Sequence, residues 1–150
     1  MSSSGKVSAG STFIGAIAYY STSQSIANLT QQALLCDTNL IDTSSIHSTT
    51  VNTSRFTVPA GYAGKWSIAA QAQWVPGSVG ARQLSVFKNG VQQQGASVVG
   101  GVTSNQSEYV EQTLQCAVGD YLEIYAFQNS GAPVSISTQG MLIKAQFMGF

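Results

Sequence analysis

The chain has 150 residues, of which 43% are hydrophobic and only 8% are charged, about a third of the charged share of an average globular protein. Six basic residues balance six acidic ones, which argues against an electrostatic surface for nucleic acid. The apolar runs are far shorter than the roughly 20 residues that span a bilayer, and the polar N-terminus lacks a secretory signal. We therefore expect one domain, made in a cytosol, with neither nucleic acid nor a membrane as partner.

The predicted elements, taken in chain order, are all strands. Residues 1–12 are small and polar and predict a flexible N-terminal arm, so the domain covers residues 13–150. Each apolar cluster after that is short, rich in β-branched or aromatic residues and bounded by turn formers. About ten such strands predict an all-β, antiparallel sandwich or jelly roll. The predicted strands are 13–20, 25–36 with an interruption, 55–58, 66–74, 82–88, 91–98, 109–118, 121–128, 134–138 and 142–150.

Strict alternation in several of these strands identifies a core. In WSIAAQAQW, from Trp66 to Trp74, every second residue is apolar, as in a strand with one buried face. The Asn-Gly pair in KNGV, Lys88 to Val91, predicts a tight hairpin between two strands. The predicted core residues are Phe56, Trp66, Ile68, Trp74, Leu114, Leu122, Ile124 and Phe147.

The strand at 121–128 (YLEIYAFQ) raises a question, because both of its faces are apolar. Leu122, Ile124 and Ala126 suit the core, while the other face carries Tyr121, Tyr125 and Phe127, relieved only by Glu123. A soluble monomer seldom exposes an aromatic patch of this size, and aromatic residues anchor interface cores. We expect Tyr121, Tyr125 and Phe127 to form a contact between subunits. The alternative is that a loop of the same chain covers them.

The residues that could carry catalysis are few. His47 is the only histidine, in the loop-like stretch SSIHSTT, and no Gly-x-Ser-x-Gly turn presents a nucleophile to it. We expect it to bond to neighbouring backbone. Glu108 and Glu111 are three apart and point to opposite faces of a strand, so they cannot act together as a glycosidase pair. We predict that Glu108, Glu111 and Glu123 are solvated edge charges, and that the protein is not an enzyme.

Metal and redox sites are not indicated either. Cys36 and Cys116 with one histidine match no zinc spacing, and Asp37, Asn39 and Asp42 lack the ligand repeat of a calcium loop. A reducing compartment disfavours a disulfide between the two cysteines. We predict free thiols, with Cys116 buried in phase with Val110, Leu114 and Val118, and we expect no metal and no cofactor.

Four segments carry a resemblance to a known family. RFTVPAGYAGKWSI (55–68), LSVFKNG (84–90), VGDYLEIYAF (118–127) and the terminal FMGF (147–150) resemble landmarks of the tumour-necrosis-factor and complement globular-head superfamily. The segments YYSTSQSIAN, NTSRFTVPAG and GARQLSVFKNG are more similar to small bacteriophage structural proteins with this fold. The resemblance implies a ten-stranded jelly roll that assembles as a compact trimer, with the 121–128 strand near the three-fold contact.

The function that the resemblance implies is structural. We expect a homotrimeric virion protein that decorates and reinforces a phage capsid as a cement protein, synthesised in the host cytoplasm. Its partners are then its own copies and the major capsid or other virion proteins, and Lys6 and Val7 in the arm are the expected attachment residues. The alternative is a receptor- or saccharide-binding tip module of a phage head or tail fibre. Its site would use an exposed aromatic such as Tyr62, or the loops around Val79 and Gly101.

Overall fold

A computed structural model describes residues 12–77 and 79–150, which form two packed antiparallel sheets of six strands each. Within these residues no helix has the length and apolarity to cross a membrane. The strands are β1 (Gly15–Tyr19), β2 (Gln24–Ile26), β3 (Gln32–Ala33), β4 (Thr38–Asp42), β5 (Phe56–Thr57), β6 (Gly64–Trp74), β7 (Ala81–Lys88), β8 (Val91–Gln92), β9 (Ser97–Gly100), β10 (Gln106–Cys116), β11 (Tyr121–Gln128) and β12 (Val134–Gly149).

The strand order confirms the predicted jelly roll. The first sheet runs β10-β6-β12-β1-β4, with β2 also paired to β12. The second sheet runs β3-β11-β7-β8, with β5 on β11 and β9 on β7. Neighbouring strands in each sheet are mostly distant in sequence, so the chain crosses repeatedly between the sheets, as in a jelly roll.

Differences from the predicted strands have local causes. Strand β4 was not predicted, because Thr38–Asp42 is mostly polar and Leu40 and Ile41 are exposed. The predicted strand at 91–98 divides into β8 and β9 around Gly95, which has a positive φ of 87°. The two predicted strands at 134–138 and 142–150 form one strand, β12. Its register on β6 shifts between Ile136 and Met141, where a bulge takes up the intervening residues.

The core lies between the two sheets and includes both tryptophans. Six of the predicted core residues are buried, namely Phe56, Trp66, Ile68, Trp74, Leu122 and Ile124. Leu114 and Phe147 are half-buried and pack against the edge of the core. Val118 is exposed, contrary to the prediction, because β10 ends at Cys116 and Val118 belongs to the following turn.

The hairpin predicted from KNGV joins β7 to β8. Asn89 and Gly90 have positive φ values of 51° and 78°, as a tight turn between two strands requires. The Asn89 side chain also donates to Asp120 Oδ1 at 2.8 Å and accepts from the Tyr121 amide at 2.9 Å. The turn is thereby tied to the start of β11.

Candidate functional site: the two outer faces of the sandwich

We use the name aromatic face for the solvent side of the second sheet around β11 and β7. Strand alternation places the side chains of Tyr121, Glu123, Tyr125 and Phe127 there, as the sequence predicted. The cross-strand register adds two side chains of β7, because Glu123 lies opposite Phe87 and Tyr125 lies opposite Ser85. None of the three predicted interface residues is fully exposed, since Tyr121, Tyr125 and Phe127 are each half-buried. Something in the chain itself therefore covers part of this face.

Part of the cover comes from the segment that leads into β5. The guanidinium of Arg55 lies over the Tyr121 ring, 4.1 Å from the ring centroid, which is cation–π geometry. The hydroxyl of Ser54 donates to Glu123 Oε1 at 2.6 Å, and Arg55 Nε lies 3.8 Å from the same oxygen. Glu123 is therefore buried. The prediction from the sequence that it is a solvated edge charge is wrong.

The rest of the cover comes from packing within the sheet. The Phe87 and Tyr125 rings stack at a centroid distance of 4.0 Å, which leaves Phe87 only 7% exposed. Gln83 and Gln92 both donate to the buried hydroxyl of Ser85. Burial, followed by the nearby Glu123 charge, raises the pKa of Tyr125. The alternative that the same chain covers this face thus has structural support, and the subunit contact through Tyr121, Tyr125 and Phe127 stays a prediction.

The opposite side of the sandwich is covered less. We use the name open face for the solvent side of the first sheet, where β10, β6, β12, β1 and β4 lie side by side. Several of its apolar side chains are strongly exposed, with Tyr109 at 57%, Ile41 at 44% and Leu142 at 41%. The face consists of Ser67, Ala69 and Gln71 on β6, Tyr109 and Glu111 on β10, Leu142 and Lys144 on β12, Ile17 on β1 and Ile41 on β4.

Two adjoining depressions shape the open face. One, of about 400 Å³, lies between Tyr19, Gln71 and the bulged part of β12. The other, of about 200 Å³, lies between Ala69, Tyr109 and Lys144. Gln71 and Leu142 line both depressions. Such a surface, with exposed apolar groups and recesses beside them, can receive protruding side chains of a second protein surface.

Hydrogen bonds hold the Glu111 carboxylate of the open face in place. The Tyr109 hydroxyl donates to Glu111 Oε2 at 2.6 Å, and the Ser67 hydroxyl donates to Glu111 Oε1 at 3.0 Å. The bond from Tyr109 lowers the pKa of Glu111, and the same bond raises the pKa of Tyr109. Lys144 adds a favourable charge from β12. Glu111 is exposed, in agreement with the sequence prediction.

Glu108, three residues earlier on β10, corrects the prediction of a solvated charge. It points into the sandwich and is 2% exposed. Its carboxylate accepts bonds from Trp74 Nε1 at 2.8 Å and from the Leu84 amide at 3.1 Å. Burial is the largest influence on its pKa and raises it, against the opposing effect of these donors and of Arg82. Glu108 thus joins the two sheets at one end of the core.

Arg82 is the cation near Glu108, and it is also buried. Its guanidinium donates to the carbonyl groups of Gly77, Val79 and Ala81 at 3.0 to 3.2 Å. These bonds fasten the loop between β6 and β7 to the sandwich. The assignment is structural, because Arg82 and Glu108 are both buried and both hydrogen-bond to groups of the same chain.

His47 is a buried structural residue of the segment between β4 and β5, as the sequence predicted. Its Nε2 donates to the Thr53 carbonyl at 2.9 Å, its Nδ1 lies 2.6 Å from Asn39 Oδ1, and its ring packs on Phe56. Asp42 accepts bonds from the His47 and Ile46 amides. Both ring nitrogens thus have partners, and no hydroxyl group of the described residues hydrogen-bonds to the imidazole.

The cysteines and acidic residues form no ligand set in the part of the chain that the structure describes. Cys36 and Cys116 are buried free thiols, and burial, followed by the charge of Asp37, raises the pKa of Cys36 to about 12. Such thiols are poor nucleophiles and poor metal ligands at neutral pH. Across residues 12–77 and 79–150 no cluster of three potential metal ligands occurs.

The remaining predicted site residues divide into two groups. Lys6 and Val7 lie outside the described residues. Tyr62, proposed as an exposed aromatic for ligand binding, is instead half-buried with its ring against Phe147 at 5.4 Å, and its carbonyl accepts from Trp66 Nε1. Val79 is exposed, but the amide of Gly101 is bound to Gly80. Tyr62 is therefore corrected to a packing residue.

The open face was missed at the sequence level, although a signal for it was present. In MLIKAQF, Leu142 occupies the outward position of an alternating strand next to Ile143, which faces the core. Apolar residues at outward positions are also the pattern that predicts a subunit contact on β11. The same pattern in β12 indicates a second candidate surface.

No protein-family model and no curated protein sequence matches the chain. Solved structures do match it in fold. The Eiger TNF of S. frugiperda aligns over 91% of this chain and 93% of its own, with a TM-score of 0.62 and 11% identity. The globular domain of the zebrafish complement 1qA protein aligns over 85% of this chain and 98% of its own, with a TM-score of 0.56 and 13% identity. The PRD1 phage vertex protein P5 aligns over 91% of this chain and 73% of its own, with a TM-score of 0.64 and 14% identity.

The protein is a jelly roll of the type seen in tumour necrosis factors and complement heads. The same type occurs in a phage vertex protein, which agrees with the resemblance that the sequence carries. At these identities the likeness establishes the fold alone.

Proposed function

We propose that the protein is a homotrimeric virion structural protein that decorates and reinforces a phage capsid. The observation that carries the proposal is the shared fold with a phage vertex protein over 91% of the chain. The composition supports the proposal as well, because few residues are charged and the polar side chains are mainly hydroxyls and amides. Such a surface can adhere to a neighbour without a strong electrostatic match.

Self-association through the open face is the first step of this role. Tyr109, Ile41 and Leu142 are exposed there beside two recesses, whereas the aromatic face is partly closed by Arg55 and by the stacked Phe87 and Tyr125. Three copies are proposed because the resemblance to the tumour-necrosis-factor superfamily implies a trimer. The contact predicted from the sequence, through Tyr121, Tyr125 and Phe127, is the competing arrangement.

The proposal is tested on phage particles that carry the protein and on particles depleted of it. Adding the purified protein to depleted particles should restore regularly placed densities of about 47 kDa, three times the 15.7 kDa chain, in electron micrographs. Restored particles should also withstand heating better than depleted ones. Failure of the protein to bind, or binding at random positions, would contradict a decorating role.

Attachment to the particle is proposed to involve the N-terminal arm with Lys6 and Val7. A polar arm that orders on contact can fasten a rigid head to a larger surface. A variant that begins at Ser11 should fold and associate like the full chain but co-sediment more weakly with depleted particles. Undiminished co-sedimentation would move the attachment surface to the jelly roll.

A further inference from the structure

A small pocket lies beside the aromatic face, between the segment that joins β4 to β5 and the start of β11. Its volume is about 280 Å³, and Arg55 and Tyr121 form one side of it. Ser45, Ser48, Asn52 and Thr57 contribute hydroxyl and amide groups to the wall, and Ile46, Val51 and Gly119 complete it. The volume is just below the range of about 300–1,000 Å³ typical of ligand sites, which suits one small ring and not an extended ligand.

The Arg55 side chain is held in this pocket, but its guanidinium N–H groups form no hydrogen bond with the described residues. The Tyr121 ring supports one side of the guanidinium at 4.1 Å. The nearest carboxylate oxygen, Glu123 Oε1, is 3.8 Å from Nε, which is too long for a hydrogen bond, and it already accepts the Ser54 hydroxyl at 2.6 Å. None of the side-chain hydrogen bonds formed among the described residues uses the Arg55 guanidinium. Its fork of N–H groups therefore remains available at a side chain that is 40% exposed.

The wall that carries Arg55 is already ordered by buried bonds. Asp42 accepts from the amides of Ile46 and His47, and the His47 imidazole donates to the Thr53 carbonyl. The Arg55 amide in turn donates to the Asn52 carbonyl at 2.9 Å. A ligand would not have to order this segment on binding, and that lowers the entropic cost of association.

The chemistry of the pocket specifies its ligand. A guanidinium with a free edge pairs with a carboxylate through two parallel hydrogen bonds. The surrounding hydroxyl and amide groups suit the alternating donors and acceptors of a sugar. We propose that this pocket binds a carboxylated sugar of the hexuronic acid type, with its carboxylate on Arg55 and its hydroxyls towards Ser48 and Asn52. This site is separate from the open face and does not depend on the capsid role.

The test is a titration of the isotope-labelled full chain followed by NMR, with methyl glucuronide as the probe. The amide signals of Ser48, Asn52 and Arg55 should shift and saturate at millimolar concentration. Methyl glucoside, which lacks the carboxylate, and acetate, which lacks the sugar, should each bind about tenfold more weakly or worse. Equal binding of glucoside or of acetate would overturn the proposal, and so would no response to any of them. Tighter binding of an acidic peptide would assign the pocket to a protein partner instead.

Two variants test whether Arg55 is the determinant. Arg55→Met should reduce the affinity for methyl glucuronide at least about tenfold. Asn52→Asp should do the same by repelling the carboxylate, and Asp tolerates the positive φ of 50° at this position, so the fold is retained even if Arg55→Met disturbs it. Lys65→Met removes an equal charge at an exposed position on β6 and should bind like the unaltered chain. Unchanged affinity in Asn52→Asp would overturn the proposal.

Discussion

The aromatic face and the open face are both apolar outer faces of a sheet, but the chain treats them differently. On the aromatic face Phe87 is 7% exposed, while on the open face Tyr109 is 57% exposed. The difference comes from residues distant in sequence, because Arg55 and Ser54 reach across to β11 and nothing comparable in the described chain crosses the middle of β12. An apolar strand face therefore indicates a partner only where residues of the same chain do not already cover it.

The largest effect should come from a charge placed on one face or the other. Leu142→Asp should convert the trimer into a monomer of 15.7 kDa, because an unpaired carboxylate would be buried in the proposed contact. Tyr125→Asp should leave the trimer intact and weaken the fold instead. Light scattering over a dilution series measures both. A monomeric Tyr125→Asp beside a trimeric Leu142→Asp would favour the contact predicted from the sequence. If both variants remain trimeric, neither face forms the trimer contact.

Truncation of side chains gives the next largest effect and separates cover within the chain from cover by a partner. Phe87→Ala should lower the free energy of unfolding by about 3 kcal/mol, since the ring is nearly fully buried by its own chain. That loss should not depend on protein concentration. Leu142→Ala should cost less than about 1 kcal/mol in the monomer but weaken association, so the drop in its melting temperature relative to the unaltered chain should depend on protein concentration. A concentration-dependent loss in Phe87→Ala would place the aromatic face in a subunit contact.

The fold could be predicted because it follows from local patterns. The alternation from Trp66 to Trp74 and the Asn-Gly turn at Asn89 each report on a few neighbouring residues, and their spacing already implies a jelly roll. The surfaces could not be predicted in the same way. Whether Glu123 is solvated depends on Ser54, 69 residues away, and period-two alternation contains no information about such a partner.

Two glutamates on β10 extend the comparison to single side chains. Substitution of Glu108, which points into the core, should lower the free energy of unfolding more than substitution of Glu111 on the open face. In Glu108→Gln one carboxylate oxygen becomes an NH₂ group facing a donor, either Trp74 Nε1 or the Leu84 amide. We expect a loss of about 1–3 kcal/mol. Because burial raises the pKa of Glu108 in the folded state, its folded form binds the proton more readily than its unfolded form. Its contribution to stability is thus full below the unfolded pKa and decreases as the pH rises through the folded pKa.

The measurement for Glu108 is a set of denaturant melts of both proteins from pH 4 to pH 8. The variant should lose the pH dependence due to this group, so its deficit relative to the unaltered chain should be larger at pH 4 than at pH 8. A deficit that grows with pH would show that the carboxylate is stabilised in its charged form.

The smallest effect is expected at Glu111, on the open face. Glu111→Gln should change the stability of the monomer by less than about 0.5 kcal/mol, because both the group and its bond with Tyr109 are exposed to solvent. The hydrogen bond from Tyr109 lowers the pKa of Glu111, so this small contribution is present above the unfolded pKa and disappears as the pH falls through the folded pKa. Urea melts of the Leu142→Asp background with and without the change would measure it. A loss of several kcal/mol would mean that the open face is covered in the monomer after all.

Strand β12 has a consequence for the time course of folding. It follows all other strands in the chain but lies in the middle of the first sheet, between β6 and β1. About 60 residues separate the end of β6 at Trp74 from the start of β12 at Val134, which corresponds to roughly 3–12 seconds of synthesis at the usual speed of a ribosome. During that interval β1 and β6 present unpaired edges in a crowded cell. Polysomes, which hold several such unfinished chains close together, are therefore where mispairing between copies is most to be expected.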